Sequence, residues 1–327
     1  MNTRRKFLKN TAAMTLGGLL LNNDLLAKAL LNKNALPGVG LQLYTLFGVL
    51  DEDVPGNLKK IADIGYTEIE SAFSKKGGFY GMKPKEFASM LNGMGMHWRS
   101  HHVLGAPFKL PPGAKMPAGA DGKPMVIPPM KNLRDDYQEL VDQAAEGGVK
   151  YLVCANTPIG SLDEIRSSID TLNRSAEAAN KAGLLFAYHN HDAEFRTVDG
   201  VVPYDLILSE TDKDLVKMEL DLGWTLKAGK DPVALFAQHP GRFHLWHVKD
   251  MDAKFEHILE VGKGNFDFKR IFDYAVDSGM RYFFIEQDGA PKPFENIATS
   301  YQNIKNILKY YQQAMSGFRT AIQRPAQ

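Results

Sequence analysis

Leu184–Phe195 reads LLFAYHNHDAEF. An apolar run that suits a buried strand ends in His189, Asn190 and His191, followed by Asp192 and Glu194. Side chains alternate across a strand, so His189 and His191 share one side and Asn190 takes the other. Apolar strands with ligand-type residues at their C-terminal ends are how a parallel α/β barrel builds its active face. Three more segments share the design: Val216–Trp224 (VKMELDLGW), Phe243–Asp250 (FHLWHVKD) and Tyr282–Asp288 (YFFIEQD). The remaining chain becomes the frame that brings these four strand ends together.

Outward from that stretch, short apolar runs alternate with amphipathic ones. Strands are predicted at Val39–Tyr44, Tyr66–Glu70, Met96–His102, Lys150–Ala155, Leu184–His189, Leu215–Asp221, Phe243–Val248 and Tyr282–Glu286. Helices are predicted at Asn57–Ile64, Pro84–Gly93, Leu133–Glu146, Leu162–Lys181, Pro203–Leu208, Pro232–Gln238, Phe268–Asp277 and Ile297–Met315. Gly65, Gly95, Gly148, Gly183 and Gly279 fall just past helix ends, where a left-handed residue is needed. Eight βα units without a composition break predict a single-domain (β/α)8 TIM barrel over 38–316, with a doubly wound open sheet as the alternative. A Pro/Gly-rich loop at 105–130 follows the third strand, at the end where a barrel carries lids and binding loops, and 317–327 reads as a polar tail.

The chain has 327 residues and a formal net charge of +1. That excess comes from the first 29 residues, which hold Arg4, Arg5, Lys6, Lys9 and Lys28 against Asp24 alone. The balance of the remainder gives no ground for a nucleic-acid partner or an anionic membrane surface. The single cysteine, Cys154, sits in an apolar strand and reads as a core thiol; no intrachain disulfide is available to it. Thr3–Lys9 (TRRKFLK), the short apolar stretch Ala12–Leu21 and Ala27-Lys28-Ala29 resemble a twin-arginine export signal over 1–29. The apolar stretch is too short to span a bilayer, so stable membrane insertion is not expected. The expected partner is the twin-arginine export machinery, and the expected location is the periplasm or beyond.

The predicted strand ends bring chemistry together. They carry Gln42 and Tyr44, Glu70, His101 and His102, His189 and His191, then Glu219, Asp221 and Trp224, then His247, Lys249 and Asp250, and last Glu286. Asp221, His247 and Glu286 close three consecutive strands, which are neighbours in a closed barrel. Mixed imidazole and carboxylate ligands with open positions suit one divalent ion of the Mn, Co, Zn or Mg type. Taken singly, each has an ordinary alternative: a hydrogen-bonded structural histidine, a turn aspartate before Gly223, a solvated turn at Glu286. Lys249 is a cation beside the metal group, suited to a sugar oxygen or an enolate unless it merely pairs with Asp250. Gly262-Lys263-Gly264-Asn265 lacks the spacing of a phosphate-binding loop and reads as a plain loop.

These residues resemble a family, the xylose-isomerase-like barrels described as sugar phosphate isomerases/epimerases. The resemblance covers nearly all of Gly38–Tyr310 and rests on GLQLYTL, GYTEIE, SHHV, AYHNHDAEF, ELDLGW with AGKDP, HVKD, VGKGNFDF and IEQD. It implies that the ends of strands five to eight ligate one divalent metal, here His189, Asp221, His247 and Glu286. Many epimerases of the family carry a glutamate at the strand-five position and pair it with the strand-eight glutamate as acid and base. This chain has the Tyr-His-Asn-His variant, and a metal-bound His189 cannot perform that task. Register decides between His189 and His191 as the ligand.

The expectation is an exported metal-dependent enzyme for a sugar or cyclitol, abstracting a proton next to a carbonyl and stabilising an enediolate. Glu286, His102, His191 or Lys249 would move the proton, and Gln42, Tyr44, Glu70, Trp224 and Asp250 would contact substrate. Trp224, Tyr44 and Trp246 are candidate stacking platforms for a sugar ring. Reprotonation gives an isomerase or epimerase; loss of a β-substituent gives a keto-sugar or 3-keto-glycoside lyase or dehydratase. A non-catalytic sugar-binding protein is the alternative outside enzymology. Association into a homo-oligomer is compatible with the sequence but has no feature of its own.

Overall fold

The computed structural model describes residues 37–108 and 130–322, with side chains through Lys309. The stretch 1–29, read from the sequence as resembling an export signal, lies outside the described residues, as do most of the 105–130 loop and the end of the predicted tail. Gly38–Tyr311 forms one compact unit.

All eight predicted strands form: β1 (Gly40–Gln42), β2 (Glu68–Ser71), β3 (His97–Leu104), β4 (Tyr151–Asn156), β5 (Leu185–His189), β6 (Val216–Asp221), β7 (Leu245–Val248) and β8 (Tyr282–Ile285). Each pairs in parallel with its sequence neighbours, and β1 pairs with β8, so the sheet closes. The open-sheet alternative is therefore excluded. Alternation then sorts the side chains. Tyr151, Val153, Ala187, Leu245 and Phe284 point inward and fill the barrel as a dry plug beneath the C-terminal ends. Room for Phe284 comes from Gly40, where a Cβ would lie 2.3 Å from the Phe283 carbonyl oxygen and 2.5 Å from the Phe284 ring. On the outward face, Trp246 stacks on Phe236 with ring centroids 4.8 Å apart and meets Phe272 edge-on. Trp246 is thus a bolt between barrel and helix layer, and the expectation of a sugar platform there is corrected.

Helices form where short polar residues can cap them. Asn132 accepts from Asp135 N–H ahead of Leu133–Gly147, and Ser161 accepts from Glu164 N–H ahead of Leu162–Lys181. Pro84, Pro203 and Pro232 open their helices at the first position, where the missing N–H has no partner to lose. Three features depart from the sequence reading. Leu222–Lys227 is a short helix, the predicted helix 268–277 splits into Phe268–Phe272 and Ala275–Ser278, and the last helix spans Pro293–Ile322, past Met315. An antiparallel pair, Asp250–Met251 with Ile258–Leu259, stands beyond β7.

Candidate active site

The strand ends deliver their inward side chains to one buried centre. His189, the last residue of β5, points inward, whereas Tyr188 points outward and donates to Glu194 at 2.9 Å. Asn190 ties β5 to the turn after β6: its Oδ1 accepts from Asp221 N–H at 3.2 Å, and its Nδ2 donates to Thr225 at 3.3 Å. His191 stands at the rim, with 42% of its side chain exposed and its Nδ1 3.8 Å from the buried Glu194 carboxylate. His189 thus joins the buried centre and His191 faces the open end.

The deeper of two groups contains Glu70, His102, His189, Glu219 and His247. The Nε2 of His102 lies 2.5 Å from Glu219 Oε2 and 3.2 Å from Glu70 Oε1. The Nε2 of His247 lies 2.5 Å from Glu70 Oε1 and 3.3 Å from Glu219 Oε2, and His189 Nδ1 is 3.1 Å from that same oxygen. Gln42 donates to Glu70 at 2.7 Å. Burial drives an imidazole toward its neutral form, yet the Glu70 and Glu219 carboxylates outweigh it at His102 and push it up to about 10. Glu219 is pushed up to about 7 by its own burial and by Glu70. His189 is held well below the usual histidine range by burial and by the neighbouring His247. Glu70 Oε2 and Glu219 Oε1 are buried without a hydrogen-bond partner. Asp221 Oδ2 also lacks a hydrogen-bond partner, and buried carboxylate oxygens left in this way are costly unless water or a ligand meets them.

The second group is shallower and shares His247. Its Nδ1 is 2.8 Å from Glu286 and 3.8 Å from Asp221. The Lys249 ammonium sits 2.9 Å from Asp221 Oδ2, 2.9 Å from Glu286 Oε2 and 2.7 Å from Asp288 Oδ2. Burial lowers a lysine, but these three carboxylates hold Lys249 well above its usual range. Burial would raise Glu286, but Lys249 and His247 hold it below the usual carboxylate range. The lysine's stem lies over Gly223, where a Cβ would come within 2.9 Å of its Cγ. Trp224 then covers the ammonium, with Nζ 4.7 Å from its ring centroid.

The expected site residues are distributed accordingly. His102, His189, Asp221, His247, Lys249 and Glu286 converge in the buried centre, with Gln42 and Glu70 beneath rather than at the mouth. Tyr44, 40% exposed, stands at the open end close enough to Asp288, Glu286 and Lys249 to feel their charges. Asp250 is elsewhere: fully buried, its carboxylate accepts N–H bonds from Met251, Gly262 and Gly264 and pins the loop after β7. Its expected contact with substrate is corrected, and Lys249 does not pair with it. His101 also points away, packing on Phe79 with its Nδ1 2.8 Å from the Ser71 hydroxyl. Glu219, Asp288 and Glu194 were given no role from the sequence. Parity was the available signal for the first two, since Glu219 alternates with Asp221 on β6 and Asp288 with Glu286 after β8.

The family described as xylose isomerase-like TIM barrel matches residues 58–307. The inosose dehydratase of Clostridium beijerinckii is 25% identical over 182 residues, which are 49% of this chain and 60% of that protein. The chain thus spans less than two thirds of that relative's length. A sugar phosphate isomerase/epimerase structure from Parabacteroides distasonis superposes with a TM-score of 0.65 at 28% identity, covering 83% of this chain and 94% of that one. The structure of an IolI protein with a bound zinc atom superposes at 0.61 over 84% of this chain and 99% of that one, at 15% identity, a likeness of fold alone.

Proposed function

The chain belongs to the xylose isomerase-like TIM barrel family, and from that premise we propose that it is a metal-dependent enzyme removing a proton beside the carbonyl of a sugar or cyclitol. The observation that carries this reading is the buried centre itself. Three imidazoles and the carboxylates of Glu70, Glu219, Asp221 and Glu286 crowd together there, with carboxylate oxygens lacking any partner. That donor set suits a divalent ion of the Mn, Co, Zn or Mg type, drawn from His102, His189, Glu219, Asp221, His247 and Glu286. When bound, such an ion supplies Lewis-acid polarisation of a carbonyl oxygen. The zinc in the IolI structure supports the same choice.

The chain's own groups do the rest. Trp224 and Tyr44 offer faces at the open end on which a sugar or cyclitol ring can rest. His191 is the exposed imidazole at the rim and takes the proton from the carbon next to the carbonyl. Glu194 accepts the His191 backbone N–H at 3.1 Å and is also held by Tyr188, which fixes the turn that carries the base. The Lys249 ammonium offsets negative charge as it grows on the enolate oxygen. Return of the proton to a carbon completes an isomerisation or epimerisation. The second reading is elimination, in which a β-hydroxyl or glycosyl oxygen leaves; the inosose dehydratases among the relatives favour it.

Incubation in D2O with keto-sugars, inososes and 3-keto-glycosides, each with Mn, Co, Zn or Mg, followed by NMR, tests both. Deuterium at the carbon beside the carbonyl with the formula retained identifies an isomerase or epimerase. Loss of water or an alcohol identifies a lyase. Binding of sugar without exchange under any ion would leave a carbohydrate-binding barrel as the correct account.

A further inference from the structure

We propose that Asp288 decides the charge of the substrate: by capping the Lys249 ammonium it turns the mouth from an anion site into one for an uncharged, hydroxyl-bearing group. A carboxylate or phosphate placed there is turned away. This inference rests on the sugar or cyclitol reading above and adds which substituents that site selects.

A lysine ammonium has three N–H donors and no acceptor. Those of Lys249 are matched by three carboxylates, with Asp221 Oδ2 and Glu286 Oε2 at 2.9 Å and Asp288 Oδ2 at 2.7 Å. The partners differ in how far a substrate can reach them. Asp221 has 0% and Glu286 6% of the side chain exposed, whereas Asp288 has 29%. Asp288 is therefore the partner that a molecule entering from the open end meets first. It also lies outside the ligand set expected from strands five to eight, so a metal held by that set would leave Asp288 to Lys249 and the substrate.

The turn that carries Asp288 is fixed from both sides. Gln287 is buried; its backbone N–H donates to Thr45 Oγ1 at 3.1 Å, and its Nε2 donates to the Ile258 carbonyl at 3.1 Å. Oδ2 of Asp288 is committed to Lys249, while Oδ1 takes no hydrogen bond from any described residue. Such an oxygen accepts from a hydroxyl and has no proton to offer an anion. A bare buried ammonium under Trp224 would instead attract one. With Asp288 in front of it, an arriving anion meets a like charge, which is how binding surfaces suppress the wrong partner. Lys227 also lies over Trp224, with Nζ 4.5 Å from the ring centroid, but it is exposed and its charge is screened by solvent.

Calorimetric titration with inorganic phosphate as the anion probe tests the assignment without any turnover. An ion bound to the protein is common to all variants, so the comparison isolates position 288. We expect Asp288→Asn to bind phosphate at least tenfold more tightly than wild type and Asp288→Glu, which restores the charge, to stay within about threefold of it. Adding Lys249→Met to Asp288→Asn should abolish the gain. Thermal midpoints check that each variant is folded, and Asp288→Ser takes the place of the asparagine variant if that one is not. No gain in Asp288→Asn, whether phosphate binds all forms equally or none, overturns the proposal. An equal gain in Asp288→Glu, or a gain that survives Lys249→Met, overturns it as well. Any of these results leaves the deuterium experiment and its enzyme reading untouched. A protein that exchanges no sugar proton loses that reading, while the phosphate comparison still stands.

Discussion

Lys249 has 1% of its surface exposed; its aliphatic stem gains from burial, but taking the ammonium out of water is costly. Asp221, Glu286 and Asp288 stabilise it, and it stabilises them. A buried ionic network of this kind adds little stability compared with an apolar replacement of the whole, but removing one partner leaves the others stranded. Lys249→Met is therefore expected to lower unfolding stability by about 3–5 kcal/mol in urea denaturation. Adding Asp288→Asn to Lys249→Met should return part of that loss, because fewer buried negative charges are left facing each other. If the double variant is no more stable than the single one, the carboxylates do not act on Lys249 as a unit. The same residue shows what the sequence could convey. Its place beside Asp221, His247 and Glu286 was legible from strand parity, whereas its third carboxylate was not, because Asp288 lies beyond the end of β8 and only the fold brings it to 2.7 Å.

At the scale of elements, two local irregularities determine which side chains reach the site. β3 pairs with β2 through a register shift between Ile69 and Glu70: Ile69 faces Trp98, but Glu70 faces Ser100. The extra residue resets the alternation. Trp98 and His101 share the outward face with Ser71, while Arg99 pairs inward with Glu68 and His102 reaches Glu70 and Glu219. A strict two-residue period cannot place residues three apart on one face, so parity alone gave no ground for naming His102 rather than His101, and the bulge is what brings the named one inward. The second irregularity is the helix Leu222–Lys227, begun by Asp221, whose Oδ1 accepts from Trp224 N–H at 2.8 Å. The turn chemistry and the site chemistry that the sequence offered as alternatives for Asp221 thus coexist, one on each oxygen. Comparing Asp221→Asn with Asp221→Ala separates them. Both remove the charge, but asparagine keeps the cap, so the alanine variant should be less stable by about 1 kcal/mol. Equal midpoints in thermal denaturation would mean that packing, not the cap, starts this helix and sets Trp224 over Lys249.

For the whole molecule, the barrel was readable because eight strand-like segments alternate with helix signals, so the order of the elements followed from pattern, and so did parity except across the bulge in β3. What converges across the barrel was less readable, since Glu70, His102 and Glu219 come from β2, β3 and β6 and lie up to 149 positions apart, as Glu70 and Glu219 do. That dispersal has a thermodynamic consequence. In an unfolded chain these donors do not meet, so an ion that binds them binds the folded state alone and its binding free energy adds to stability. Ligand at about a hundredfold over its dissociation constant contributes roughly 2.7 kcal/mol, or several degrees in melting midpoint for a domain of this size. The dry plug of Tyr151, Val153, Ala187, Leu245 and Phe284 beneath the site gives the strands no freedom to relax instead. Chelator-treated protein should therefore melt about 5–10 °C below protein supplied with excess zinc or manganese. The gap should shrink to a degree or two in Glu219→Gln, which keeps the shape of the centre and removes its shared carboxylate. A wild-type midpoint that ignores the ion would show that the donors are satisfied by one another, with protons between imidazole and carboxylate, and that the centre does not take up metal.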